Sequence, residues 1–146
     1  YHANLTGANL TGANLTGADL SAAVLSAANL TNANFTSARM SSAQLTNITL
    51  TYTNFSGVDF SMARISGTWT NANFGHANLS NALLQGTGSY SDFTGANLSG
   101  VVFQATDQST MPGLPHNPGS PPEQQCGDGL VTYGSCDVTD SSLGGN

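Results

Sequence analysis

The chain holds 146 residues, and only 7% of them are charged, against roughly 25% in an ordinary globular protein. It has no lysine: Arg39 and Arg64 stand alone against eight acids, for a net charge of −6. Two arginines cannot line a phosphate backbone, which argues against a nucleic-acid partner, and no apolar run approaches the ~18 residues of a membrane-spanning helix.

In chain order, the first residue is Tyr1 and no signal-peptide pattern follows it, which reads as a processed product or a fragment. From Ala3 the sequence Ala-Asn-Leu-Thr-Gly then occurs three times in succession, over residues 3–17. A large apolar residue, the centre of each unit, stands at Leu5 and at every fifth position through Phe35, Phe55 and Phe60 to Ile65. Two residues before each centre sits something small, usually alanine. A period of five suits neither an amphipathic helix nor a plain strand. It requires a backbone that turns a corner once per unit.

On these residues the stretch 1–104 resembles the pentapeptide-repeat family, whose motif is A-(D/N)-L-x-x. The resemblance implies an all-β fold, a right-handed quadrilateral β-helix with four pentapeptides per coil. The centre and the small residue two before it would point inward, and the other three outward.

Four units per coil would stack residues 20 apart, and the columns respect this. One column of centres reads Leu15, Phe35, Phe55, Phe74, Phe93; another reads Leu5, Leu25, Leu45, Ile65, Leu84, Phe103. Outward columns read Asn14, Asn34, Asn54, Asn73, Asp92 and Thr11, Thr31, Thr51, Thr70, Ser89. Asp19, Arg39 and Asp59 also share a column, which predicts a short surface ion ladder. The phase slips twice. Trp69 follows Ile65 by four residues, and the spacing after Leu84 leaves a poor centre near Gly88. Both slips shorten the same corner, with Gly67 and Gly86 just before them. About five coils result, a solenoid of about 24 Å at about 4.8 Å per coil.

Beyond residue 104 the composition changes. Residues 105–125 hold all five prolines, Pro112 to Pro122, and read as an extended segment, either a linker or a strap whose Met111 and Leu114 cover a solenoid end. Residues 126–146 carry the two cysteines, Cys126 and Cys136, around Gly127-Asp128-Gly129 and Tyr133-Gly134. This pattern predicts a disulfide-closed hairpin in an otherwise irregular tail, and with it an oxidising compartment. The solenoid is nearly neutral, because Asp19, Asp59 and Asp92 face two arginines, while the tail holds five acids and no base.

No catalytic constellation stands out. His2, His76 and His116 are scattered, no phosphate loop precedes a helix, and the serines fall on repeat positions, so neither an enzyme, a cofactor nor a metal site is expected. Asn-x-Ser/Thr sequons occur at Asn4, Asn9, Asn14, Asn29, Asn34, Asn47, Asn54, Asn78 and Asn97. All would point outward as candidate N-glycosylation sites, although the repeat motif generates such sequons by itself. The function read from these features is structural: an extracellular subunit that stacks head-to-tail into a filament through open coil edges, carries covalent glycans, and clasps its neighbour with the tail. A lumenal or periplasmic interaction scaffold is the alternative. Ice binding through the Thr ladder and inhibition of a topoisomerase by DNA mimicry are weaker readings; the second needs an acidic surface that this solenoid lacks.

Overall fold

A computed structural model describes residues 2–87, 90–105, 125–126 and 130–132. Each pentapeptide begins with an inward small residue and an outward residue that bridges to the next coil. The centre follows, and the chain then turns. The turn is closed by a hydrogen bond from the following small residue to the carbonyl of the centre, as from Ala8 N–H to Leu5 at 3.0 Å and Ala38 N–H to Phe35 at 2.8 Å. Its third residue has positive φ, from Gly7 at 67° to Tyr90 at 56°. Glycine holds the position at Gly7, Gly12 and Gly17, but His2, Ala22, Asn32, Ser37, Tyr52 and Met62 adopt the same conformation, so coil-to-coil bonding overrides the local preference.

Repetition of this unit builds four parallel ladders, one per side of the coil. The first face bridges Asn4, Val24 and Gln44, the second Asn9, Asn29 and Thr49. The third bridges Asn14, Asn34, Asn54, Asn73 and Asp92, and the fourth Asp19, Arg39, Asp59, Asn78 and Asn97. Every column expected from 20-residue stacking is therefore present where the residues are described. From the first face into the corner with the second, the chain straightens into four parallel strands in the order β1-β2-β3-β4: β1 Gln44–Thr49, β2 Arg64–Thr68, β3 Leu83–Thr87 and β4 Val102–Ala105.

The shortened corner lies between the first and second faces. Leu45 pairs with Ile65, but Ile48 pairs with Gly67, so Thr46 and Asn47 oppose Ser66 alone. The extra residue bulges in β1, and Asn47 N–H donates to Ser66 Oγ at 3.1 Å. The second slip repeats the first: β2 and β3 pair without a shift from Arg64 opposite Leu83 to Thr68 opposite Thr87, so β3 turns the same shortened corner, while Gly88 itself lies outside the described residues.

The centres fill the interior. Phe35, Phe55, Phe74 and Phe93 form one stack, with centroid separations of 5.2, 5.3 and 4.8 Å. Trp69 meets Phe74 and Phe93 edge-on. Where the small inward position is not apolar, its hydroxyl is satisfied: Thr53 donates to the Leu30 carbonyl at 2.7 Å and Ser91 to the Trp69 carbonyl at 2.5 Å. The buried Trp69 Nε1 has no partner among the described residues.

The inward small column leaves no room for growth. Ala33 is buried and its main chain is held by bonds to Leu30 and Asn54, so Ala33→Leu should cost about 1–3 kcal/mol by forcing strain into the ladders. Thermal melts of this variant check the inward assignment.

The tail pairs with its own solenoid. Strand β6, Leu130–Thr132, runs antiparallel to β4, with Phe103 opposite Val131. Strand β5, Gln125–Cys126, lies antiparallel to β6. This corrects the expectation of an irregular tail free to clasp a neighbour, because the free edge of β4 is taken by the same chain. It also crosses the division drawn at 125/126. Cys136, Met111 and Leu114 lie outside the described residues, as does any bridge to Cys126. Among the described residues no helix is long and apolar enough to cross a membrane.

Candidate functional site

With the interior filled, what the solenoid can offer chemically lies on its outward ladders and on the ridges where two faces meet. Eight of the nine sequon asparagines, all but Asn47, stand at the outward position before the centre. Their side chains cap the turn that follows. Asn14 Oδ1 accepts from Thr16 N–H at 3.2 Å and from the Thr16 hydroxyl at 2.7 Å. Asn4, Asn9, Asn29 and Asn34 bind the N–H and the hydroxyl of their own sequon threonine in the same way. Asn97 does so with Ser99. The sequon hydroxyl is thus part of the fold, a local side-chain bond that fixes the corner.

The amide nitrogens divide the columns. Asn54 Nδ2 donates to Thr36 Oγ1 at 3.1 Å, Asn78 Nδ2 to Asp59 Oδ1 at 3.0 Å, and Asn97 Nδ2 to Asn78 Oδ1 at 3.1 Å. These nitrogens serve coil-to-coil ladders, and Asn54 and Asn78 are half-buried. Asn4, Asn9, Asn14 and Asn29 are exposed. Asn47 differs from all of them: it lies in the bulge of β1, with φ of 55°, exposed at a corner.

The expected ion ladder is displaced by the same local bonding. Asp19 Oδ1 accepts from the Ser21 hydroxyl at 2.7 Å and from the Ser21 N–H at 3.1 Å. These bonds hold its carboxyl below the usual 3.8, with Arg39 a lesser influence. Asp92 is lowered likewise, by the hydroxyl and N–H of Thr94 first and His76 last. Both carboxyls are stronger acids folded than unfolded. Their contribution is complete above the unfolded value and is lost as pH falls through the lower folded value. The melting temperature should therefore hold from neutral pH to about pH 4 and then decline. Replacing both residues by Asn, which caps the same turn elsewhere, should flatten that decline in melts recorded across the acid range.

Among the described residues three large apolar side chains are exposed: Tyr52, Met62 and Tyr90. All occupy the third position of the turn, with φ of 56–58°. Tyr52 and Tyr90 share the ridge between the second and third faces, and Met62 lies on the opposite ridge. The sequence signal was present in the column Gly12, Asn32, Tyr52, Asn71, Tyr90, which a search for cores and ligands passes over. Among the described residues no group of three or more His, Cys, Asp or Glu is placed to hold a metal.

The pentapeptide-repeat family model matches eight copies over residues 3–41, 38–69 and 70–107. This chain belongs to the pentapeptide-repeat family. Among solved pentapeptide-repeat structures it is similar to one from the thylakoid lumen of Arabidopsis thaliana, at 31% identity over 69% of this chain and 65% of that one, with a TM-score of 0.44. It is also similar to QnrB1, a plasmid-mediated fluoroquinolone resistance protein, at 21% identity over 67% and 58% with a TM-score of 0.43. HetL, involved in heterocyst differentiation regulation in the cyanobacterium Nostoc sp. strain PCC 7120, shares 25% identity over 69% and 60% with a TM-score of 0.30. The chain thus spans less than two thirds of the length of each. No curated protein sequence matches it.

Proposed function

We propose that this chain is a non-enzymatic structural module, a stiff repeat rod whose work is done by its outer faces. The observation that carries this reading is the uninterrupted run of four parallel ladders around an interior filled by the chain's own side chains. Such a rod is an Ising-like stack in which each coil supports its neighbours. Its faces present repeated polar groups at fixed spacing, with charges only at Asp19, Arg39, Asp59, Arg64 and Asp92 among the described residues. Hydrogen exchange on the full chain tests it: slow exchange of the ladder N–H groups on all four faces is expected, and fast exchange throughout would contradict the proposal.

The finer reading is head-to-tail self-association in an oxidising, extracellular setting, with a lumenal or periplasmic scaffold as the alternative. Leu5, Leu10, Leu15 and Ala18 of the first level are only partly buried while packing on the core. They call for a further coil, supplied by another copy or by preceding chain in a longer protein. At the other end β6 already covers the first face, so stacking there would use the remaining faces. Light scattering over a concentration series on natively sourced material decides: growth of mass with concentration supports stacking, and a constant monomer ends it. In the same reading Cys126 and Cys136 form a disulfide, and glycans occupy the exposed Asn4, Asn9, Asn14 and Asn29 before Asn54, Asn78 or Asn97, whose nitrogens are engaged. Glycopeptide mass spectrometry of native material should find that order; unmodified asparagine at all nine sequons would remove the glycoprotein reading.

A further inference from the structure

We propose that the ridge carrying Tyr52 and Tyr90 is a binding platform for an extended, uncharged β-1,4-linked glycan. The two side chains are 61% and 73% exposed. Two large rings held in water on one edge form an exposed apolar pair, the kind of surface that marks an interaction site. The same ridge position elsewhere is held by Gly12, Asn32 and Asn71, so the turn itself does not demand an aromatic.

Register fixes the spacing. Tyr52 N–H bonds to the Thr70 carbonyl, and Asp92 N–H to the Ala72 carbonyl. Asn71 therefore stands one level above Tyr52, and Tyr90 one level above Asn71. Two levels at about 4.8 Å each place the rings about 9–10 Å apart along a straight edge. This is close to the length of one disaccharide in an extended β-1,4-linked chain, where alternate sugars present the same face. Each tyrosine can then stack beneath every second sugar, offering its apolar body to the ring and its hydroxyl to the sugar edge.

The flanks suit a neutral polyol. Thr51 and Thr70 border the ridge on the second face, Asn54 and Asn73 on the third, and Asn71 fills the gap between the two rings. Arg39, Asp59 and Arg64 all lie on the fourth or first face, away from it. Among the described residues Asp92 is the one charge beside the ridge, which favours an uncharged ligand over an acidic polysaccharide.

The test uses the full-length chain with cellohexaose and chitohexaose in titration calorimetry, and with swollen cellulose and chitin in pull-downs. The parent should bind at least one of these glycans. Tyr52→Ala and Tyr90→Ala should each weaken binding about tenfold, the loss of one stacking contact. The double variant should abolish retention, while Tyr52→Phe and Tyr90→Phe keep most of it. Met62→Ala, on the opposite ridge, should bind as the parent does, and all variants should keep its melting temperature. A parent that binds none of the four glycans would overturn the proposal, as would undiminished binding by the double alanine variant. So would tyrosine variants that change sedimentation but not glycan retention, because the ridge would then be a contact between copies.

Discussion

Phe55→Ala should lower stability by about 3–5 kcal/mol, among the largest effects of any single substitution in the core. Phe55 is fully buried. Its ring stacks on Phe35 at 5.2 Å and on Phe74 at 5.3 Å and meets Phe60 edge-on at 5.0 Å. The cavity left by alanine cannot collapse easily, because its walls are main-chain ladders held at fixed spacing, with Phe55 N–H on the Asn73 carbonyl at 2.7 Å and Asn54 N–H on Ala33 at 2.9 Å. The position also matters for cooperativity. Each coil touches only its neighbours, so a weak level in the middle uncouples the two halves. Denaturant unfolding should therefore show both an earlier midpoint and a broader transition. Phe55→Leu, which restores the residue type of Leu15 in the same column, should lose less. A variant that unfolds with the parent would show that the Phe column does not carry the core.

The fold was legible because its period is short and its columns repeat the same chemistry. Asn14, Asn34 and Asn54 announce their stacking by spacing alone, and Trp69 announces the slip because it is the first centre out of phase. Gly67 and Gly86 were visible as small residues, but only the structure gives the reason, which is the main chain of the coil below. What the spacing hid was competition between partners. Arg39 lies 20 residues from Asp19 and looks like its natural counter-ion. Ser21 wins because it is two residues away and already ordered by the turn, whereas a solvated arginine must be immobilised to pair. The tail escaped for a different reason. Strand β6 pairs with β4 across a segment without periodicity, and a three-residue strand leaves no alternation to read. Tyr52 and Tyr90 were overlooked because the turn position tolerates almost any residue, so an aromatic there carries meaning only once both are placed on one edge.

Gly67→Ala should match the Phe55 variant in severity, at about 3–5 kcal/mol, from a change of one methyl group. A Cβ at Gly67 would lie 2.1 Å from the Ile48 carbonyl oxygen and 2.6 Å from the Ile48 nitrogen. Both are main-chain atoms of β1, where a buried Ile48 and the Leu45–Ile65 pairing hold the strand in place. The φ of 136° adds a second penalty, because L side chains rarely adopt it. Neither can be relieved without moving the bulge that lets a six-residue β1 sit on a five-residue β2. Gly86→Ala should behave similarly, since its Cβ would lie 2.1 Å from the oxygen of Gly67 in the coil below. Gly95→Ala is the control. Its φ of 69° is close to the 56° that the turn already imposes on alanine at Ala22, and the nearest atoms to its Cβ would be those of the exposed His76 ring, which can swing aside. It should cost about 1–2 kcal/mol. Denaturant midpoints for the three variants should therefore fall with Gly67→Ala and Gly86→Ala together, well below Gly95→Ala. Equal midpoints for all three would mean that the shortened corner can open to admit a side chain, and that the four-residue step to Trp69 is set by something other than main-chain contact.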